Sequence, residues 1–311
     1  MCRKIEKTAA LLGILLLVLC LSACGQSGET GTEKQAGVIY MGDSQSSPED
    51  IYNYESWGNL LKDATKQAPG ASAVILGGDL INEETDEAER QAFLQAADGL
   101  FKQIPFRSVS GNHTADNDGW AEVFQLPKNG PAGYESLFYS FDAGYMHFIM
   151  MDSLSMGSLD EATQRTLTQW VKKDLASSKQ PWKIAVMHHP MYPLNQTNKD
   201  QMRADTMQSV YLPVLEDGGV RLILCGHQHV YGRTVPMMGA KPAEEANGEK
   251  GIVQVMGVSG GKLYSAEKKD FMAVCESEEP VYTVLSGNRT DLELKTIGAS
   301  GEVVDLFTLK K

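Results

Sequence analysis

From Val38 onward, short apolar runs alternate with longer stretches in which apolar residues recur every three or four positions. The first pattern predicts buried strands and the second amphipathic helices, so the body of the chain reads as an α/β domain. Predicted strands begin at Val38, Val74, Phe106, Phe148, Ile184 and Val220. Predicted helices carry Ile51, Tyr54, Trp57, Leu61 and Ala64 on one face, then Phe93, Leu94, Ala97, Leu100 and Phe101, then Leu167, Trp170, Val171 and Leu175. Beyond Ile252 the character changes. Short strand candidates at 252–256, 281–285, 291–295 and 303–309 are separated by Gly-rich turns, which predicts a second sheet packed on the first. The stretch from Met237 to Lys250, with Gly, Pro and Glu, reads as an exposed loop.

Most of the apolar runs end in polar chemistry. The first opens into Gly42-Asp43-Ser44-Gln45, the next into Gly77-Gly78-Asp79-Leu80-Ile81-Asn82, and the third into Gly111-Asn112-His113. Later runs deliver Asp152, then His188-His189-Pro190, then Cys225-Gly226-His227-Gln228-His229. In an extended segment His227 and His229 would share a face, which suits a metal ion, but a lone His-x-His is as often a pair of ordinary histidines. The ordering changes those odds. Ligands at the carboxyl ends of successive buried strands converge on one edge of a sheet, whereas chance would scatter them over helices as well.

Charge narrows the partners. The formal net charge is -12, which argues against nucleic acid and against electrostatic adhesion to membranes. Arg3, Lys4 and Lys7 precede an apolar run from Ala9 to about Leu21, the layout of a secretory signal and too short for a comfortable span. The run closes in Leu21-Ser22-Ala23-Cys24, which resembles the lipobox of bacterial lipoproteins, so residues 1–23 are expected to be removed and Cys24 lipidated. Residues 24–37 then read as the lipidated Cys and a flexible leash, and 38–311 as the folded domain. The expected location is outside the cytoplasm, tethered to the cell membrane by lipid. Cys225 and Cys275 each follow apolar runs and are read as unpaired thiols.

The ordered motifs resemble the calcineurin-like metallophosphoesterase superfamily, and within it the purple acid phosphatase-like branch. Gly42-Asp43, Gly78-Asp79, Gly111-Asn112-His113, His188-His189-Pro190-Met191-Tyr192 and Gly226-His227 through Thr234 carry the likeness, with Tyr139-Ser140-Phe141-Asp142 and His147-Phe148 between them. That resemblance implies a four-layer α/β/β/α sandwich of two mixed β-sheets flanked by helices, holding two divalent metal ions, of manganese, zinc or iron. It implies Asp79 as the bridging carboxylate, Asp43 and His229 on one ion, and Asn112, His188 and His227 on the other. Two divalent ions against Asp43 and Asp79 would leave the pocket locally positive within an acidic protein, so that a phosphate dianion can bind. Hydrolysis would follow by attack of a metal-activated hydroxide on phosphorus. His113 is implied as general acid, with a purely supporting hydrogen bond as its other reading. Asp116 or Asp118 would orient it, and nothing in the sequence chooses between them. Asn112, His113 and Arg233 are the substrate-contacting candidates, although Arg233 reads better as the partner of an acidic side chain.

Two positions depart from the family pattern. Many members have His two residues after the first Asp, and purple acid phosphatases have Tyr three residues after the second; here these are Gln45 and Asn82. Both amides can offer a neutral carbonyl oxygen to the first ion, so both are metal-ligand candidates, with Gln45 favoured as the completing ligand and Asn82 as its neighbour. Without a Tyr phenolate, divalent metal is favoured over trivalent iron. Thr114 stands where an acidic residue is common. His189 reads as structural or as rim, His147 as a satisfied core histidine, and Asp152 as cap, turn or ligand. The reading is a hydrolase of small phosphomonoesters. Its alternatives are a phosphodiesterase with the same metals and a lipid-anchored phosphate-binding protein with little turnover.

Overall fold

A computed structural model describes residues 37–311 apart from 115–116, 157–158, 195–196, 245–249 and 277. The signal segment, Cys24 and Asp116 therefore lie outside the described residues, as does the side chain of Asp118.

In chain order the strands are β1 (Val38–Met41), β2 (Ala73–Leu76), β3 (Phe106–Ser108), β4 (Phe138–Ala143), β5 (Met146–Met151), β6 (Trp182–Val186), β7 (Val220–Cys225), β8 (Tyr231–Thr234), β9 (Met237–Met238), β10 (Lys241–Pro242), β11 (Val253–Met256), β12 (Met272–Glu276), β13 (Val281–Gly287), β14 (Asp291–Gly298) and β15 (Val303–Lys310). The helices are α1 (Glu55–Gln67), α2 (Glu87–Ala96), α3 (Asn117–Phe124), α4 (Glu161–Ser177), α5 (Asn198–Val210) and α6 (Leu212–Asp217). One sheet runs β15-β14-β13-β1-β2-β3 and the other β12-β8-β11-β7-β6-β5-β4. Both are mixed. Strands β1, β2 and the edge strand β3 are parallel, as are β5, β6, β7 and β11, while the remaining strands pair antiparallel.

Period-2 alternation builds the layers. On β5, β6 and β7, Phe148, Met150, Ile184, Val186, Leu222 and Leu224 enter one core with the first sheet, whereas Ile149, Met151, Ala185, Ile223 and Cys225 enter a second core with α4, α5 and α6. Both faces of these strands are thus apolar, as parallel strands covered on two sides require. Helix α1 packs on β13 and α3 on β3, while α6 packs on β7, so helices flank the paired sheets. Tyrosines join the sheets at strand ends. Tyr139 donates to the Ser108 carbonyl at 2.6 Å, Tyr231 to Asp305 at 2.7 Å, and Tyr40 to the Cys225 carbonyl.

The tail does not form a sheet of its own. β11 and β12 extend the second sheet, and β13 brings β14 and β15 onto the first by pairing antiparallel with β1. A strand with a free edge takes whichever partner closes its hydrogen bonds, and sequence separation carries no penalty once the sheets have met. The helix expected through Phe101 stops at Ala96, because Asp98 and Gly99 take positive φ of 50° and 70° and a separate 3-10 turn follows. Within 237–250, β9 and β10 form a short hairpin and Met237 is buried. Cys225 and Cys275 are both free thiols.

Candidate metal centre

The carboxyl ends of β1, β2, β3, β6 and β7 meet at one edge, and glycines make the approach possible. A Cβ on Gly226 would lie 2.4 Å from Asp43 Oδ2, and one on Gly111 would lie 2.2 Å from Asp79 Oδ1. At Gly78, Gly111 and Gly226 a side chain would occupy the space of His188, Asp79 and Asp43 respectively, whereas at Gly42 it would meet the Gly257 backbone.

Ligand-type atoms of Asp43, Asp79 and His188 lie within 4.8 Å of one another, all buried. His188 Nε2 sits 3.2 Å from Asp79 Oδ2 and 3.2 Å from Asn112 Oδ1. Each histidine has one ring nitrogen committed to the protein. His188 Nδ1 donates to the Gly77 carbonyl at 2.9 Å, His229 Nδ1 to the Lys262 carbonyl at 2.8 Å, and His227 Nε2 to Asp200 Oδ1 at 3.0 Å. One lone pair on each of the His227 and His229 rings is thereby left for a cation; burial works against a proton on His188, but Asp79 and Asp43 raise it to about 9, so its Nε2 would release that proton on binding one.

The fit to a metal shows in what lacks a partner. Asp43 is fully buried, and among the described residues neither of its oxygens has a hydrogen bond of normal geometry, although the His227 backbone N–H helps to hold its charge. Gln45 has the same character: its Nε2 donates to the Ile81 carbonyl at 3.2 Å, while its buried Oε1 has no partner among the described residues. Buried polar oxygens without donors are costly, and a cation is the group that would satisfy them. Burial pushes the Asp43 carboxyl up to about 8, with His188 opposing and Asp79 adding to the shift. Burial also works against ionisation of Asp79, but the His188 charge and hydrogen bond and the His113 N–H hold it below the usual carboxylate range. Burial lowers His229 to about 3 and also lowers His227, which keeps both neutral, as ligands must be.

Asp79, His227 and His229 all take positive φ, of 48°, 76° and 51°. This corrects the extended geometry expected of His227-Gln228-His229. The segment is a left-handed bend after β7, and it sends the two rings to different neighbours. His227 packs 5.1 Å from His188 and 4.2 Å from His189, whereas His229 packs 4.7 Å from Tyr264.

The other candidates fall into place around this edge. His113 donates its backbone N–H to Asp79 Oδ1 at 2.8 Å, and its Nδ1 lies 2.8 Å from the Asn82 carbonyl. The Asn82 side-chain amide is engaged with Ser46 Oγ at 3.0 Å and Glu89 Oε1 at 2.9 Å. Arg233 is placed elsewhere: its guanidinium holds Asp305 through Nε at 2.6 Å and Nη2 at 3.1 Å and stacks over Phe307. It does not line the pocket over the site. His189 is buried between Ser153 and Arg203, and Asp152 caps the turn at Leu154 and Ser155. His147 is satisfied on both nitrogens by Asp142 and Asp174.

A cavity of about 300 Å³ opens over the site, and its lining includes Thr197, Asp200, Lys262 and Tyr264, which no sequence motif marks. Asp200 lies in the first turn of α5 behind its cap Thr197, and Lys262 and Tyr264 lie on the loop after β11. None follows a strand ending in a recognisable ligand pair.

A family model for calcineurin-like phosphoesterases matches residues 38–231, and the chain belongs to that family. Purple acid phosphatase 15 of Arabidopsis thaliana is 29% identical over 147 residues, 44% of this chain and 26% of that protein. A probable cyclic nucleotide phosphodiesterase of Psychrobacter arcticus is 23% identical over 191 residues, 60% of this chain and 67% of that protein. The structure of a purple acid phosphatase from yellow lupin (Lupinus luteus) seeds superposes with a TM-score of 0.70 at 19% identity, over 89% of this chain and 54% of that one, which shows a common fold. The chain spans less than half the length of the Arabidopsis purple acid phosphatases it matches.

Proposed function

We propose that this protein hydrolyses small phosphomonoesters at a centre of two divalent metal ions. The observation that carries the reading is the buried cluster of Asp43, Asp79 and His188, whose ligand-type atoms lie within 4.8 Å of one another, with Asp43 oxygens that have no normal hydrogen-bond partner among the described residues. Asp79 would bridge, with Asp43, Gln45 and His229 holding one ion and Asn112, His188 and His227 the other. Bound there, the ions would act as Lewis acids toward the phosphoryl oxygens and lower the pKa of water to supply the nucleophile.

The chain's own residues supply the rest. His113 lines the cavity, and with Nδ1 donating to the Asn82 carbonyl its Nε2 is the ring atom left to protonate the departing oxygen. Asn82 acts through its backbone, since its side chain is tied to Ser46 and Glu89. Asp200 orients His227. The test is hydrolysis of a chromogenic phosphomonoester and a diester by the full folded domain loaded with manganese, zinc or iron. Turnover of the monoester that is lost in His113→Ala supports the reading, and no turnover with any metal contradicts it.

A diesterase reading is favoured by one observation, the similarity to the Psychrobacter phosphodiesterase over most of that protein. Preference for the diester in the same assay would select it. We further propose that the protein is tethered outside the cytoplasm through lipid on Cys24, which rests on the sequence pattern from Arg3 to Cys24. Metabolic labelling with palmitate that survives in wild type and disappears in Cys24→Ser tests it, and label retained in the variant refutes it.

A further inference from the structure

We infer that the loop after β11 forms a leaving-group subsite for phosphate esters of planar aromatic groups, aryl or nucleoside, with Tyr264 as stacking face and Lys262 as facing cation. The inference rests on the phosphoesterase reading above and names the class of ester it favours.

Among the described residues only two aromatic side chains are exposed, Tyr52 and Tyr264. Tyr52 is tied through its hydroxyl to Asp86 at 2.9 Å, away from the site. Tyr264 is 46% exposed and shares the cavity lining with Asp79, Asn112 and His113. One side of its ring rests on His229, with centroids 4.7 Å apart. Packing on His229 alone would be met by a buried side chain and needs no exposed ring. The loop is also stapled to the metal centre at two points. Tyr264 N–H donates to the His229 carbonyl at 3.0 Å, and the Lys262 carbonyl accepts from His229 Nδ1 at 2.8 Å. An aromatic face held this firmly loses little freedom when a ligand stacks on it.

Lys262 is the one cationic side chain on the lining among the described residues, and its Nζ lies 5.9 Å from the centre of the Tyr264 ring. A cation beside an aromatic face suits a ligand that carries both a π system and negative charge. An alkyl phosphate offers only the charge, so it would use Lys262 and leave Tyr264 idle.

The test compares phenyl phosphate, adenosine monophosphate and glycerol phosphate as substrates, and measures their equilibrium binding to metal-loaded protein by calorimetry. Stacking of this kind is worth about tenfold in affinity. Tyr264→Ala should therefore lower the aromatic-to-glycerol ratio of kcat/KM, and of affinity, by about tenfold, and Tyr264→Phe should preserve it. Lys262→Gln should weaken all three esters by a similar factor. A ratio that falls for phenyl phosphate alone assigns the subsite to aryl esters, and one that falls for the nucleotide assigns it to nucleosides. An unchanged ratio in Tyr264→Ala, or equal losses on every ester together with loss of metal, overturns the inference. If wild type turns over none of the esters, the hydrolase reading fails, and the binding ratio still decides the subsite.

Discussion

His113 Nδ1 lies 2.8 Å from the main-chain oxygen of Asn82, so backbone orients the ring of the proposed acid. That backbone is itself held by Glu89, a fully buried carboxylate on α2. Glu89 accepts from Asn82 N at 2.7 Å, Asn82 Nδ2 at 2.9 Å, Glu83 N at 2.9 Å and the Tyr54 hydroxyl at 2.8 Å. Removing this acceptor leaves buried donors unsatisfied, at roughly 1–3 kcal/mol for each that water cannot reach. Glu89→Ala is expected to destabilise the fold by a few kcal/mol, measured by urea unfolding. In the folded fraction it should slow esters with poor leaving groups more than those with good ones, because only the former need an acid. Equal slowing would mean that Glu89 serves stability alone.

Asn82→Ala keeps the carbonyl that holds His113 and loses only an amide that faces Ser46 and Glu89. It should retain its metal content and lose less than about tenfold in kcat, whereas His113→Ala should lose about 10²–10⁴-fold. Loss of one metal ion in Asn82→Ala would show that its side chain is a ligand.

Asp200 fixes the tautomer of His227 from a helix that supplies no proposed ligand. Supporting carboxylates of this kind are worth about 10–100-fold in metal affinity. Asp200→Asn should weaken one of two metal-binding steps by that factor in a titration and leave the other unchanged. Equal weakening of both would contradict the assignment of His227 to one ion.

Asp43 sets function against stability. Its buried oxygens lack normal hydrogen bonds, so chelator-treated Asp43→Asn should be more stable than chelator-treated wild type, by about 1–3 kcal/mol. On adding metal the order should reverse, since wild type gains binding energy that the variant cannot. Thermal melts with and without metal read both signs.

His147, remote from these ligands, gives a pH dependence. Burial lowers its affinity for a proton, but hydrogen bonds and charge from Asp174 and Asp142 outweigh it and raise the pKa above 6.5. A raised pKa means that the folded state binds the proton more tightly than the unfolded chain. The stabilisation is complete below about pH 6.5 and is lost as pH rises through the folded value. The melting-temperature gap between wild type and His147→Gln should narrow across that window, and a gap that widens would reverse the assignment.

Much of the centre was legible because parallel strands deliver their last residues to a single edge. Asp43, Asp79, Asn112, His113 and His188 follow apolar runs directly, and the glycines beside them mark close approach. What escaped was set by tertiary geometry. The left-handed turn at His227 and His229 departs from the extended conformation that a strand end implies. Asp200, Lys262 and Tyr264 reach the cavity from a helix start and a loop, with no local pattern to announce them. Arg233 meets Asp305 because β8 and β15 lie on facing sheets, a pairing 72 positions apart that no local pattern encodes. The tail divided between sheets for the same reason.

The most direct measurement is metal content of the purified folded domain by plasma mass spectrometry, for wild type and Asp79→Ala, with phosphomonoester hydrolysis followed on the same samples. About two ions per chain are expected in wild type with turnover, and loss of both ions and activity when the shared carboxylate is removed. One ion or none in active wild type, or two ions that persist in Asp79→Ala, would contradict a two-ion centre bridged by Asp79.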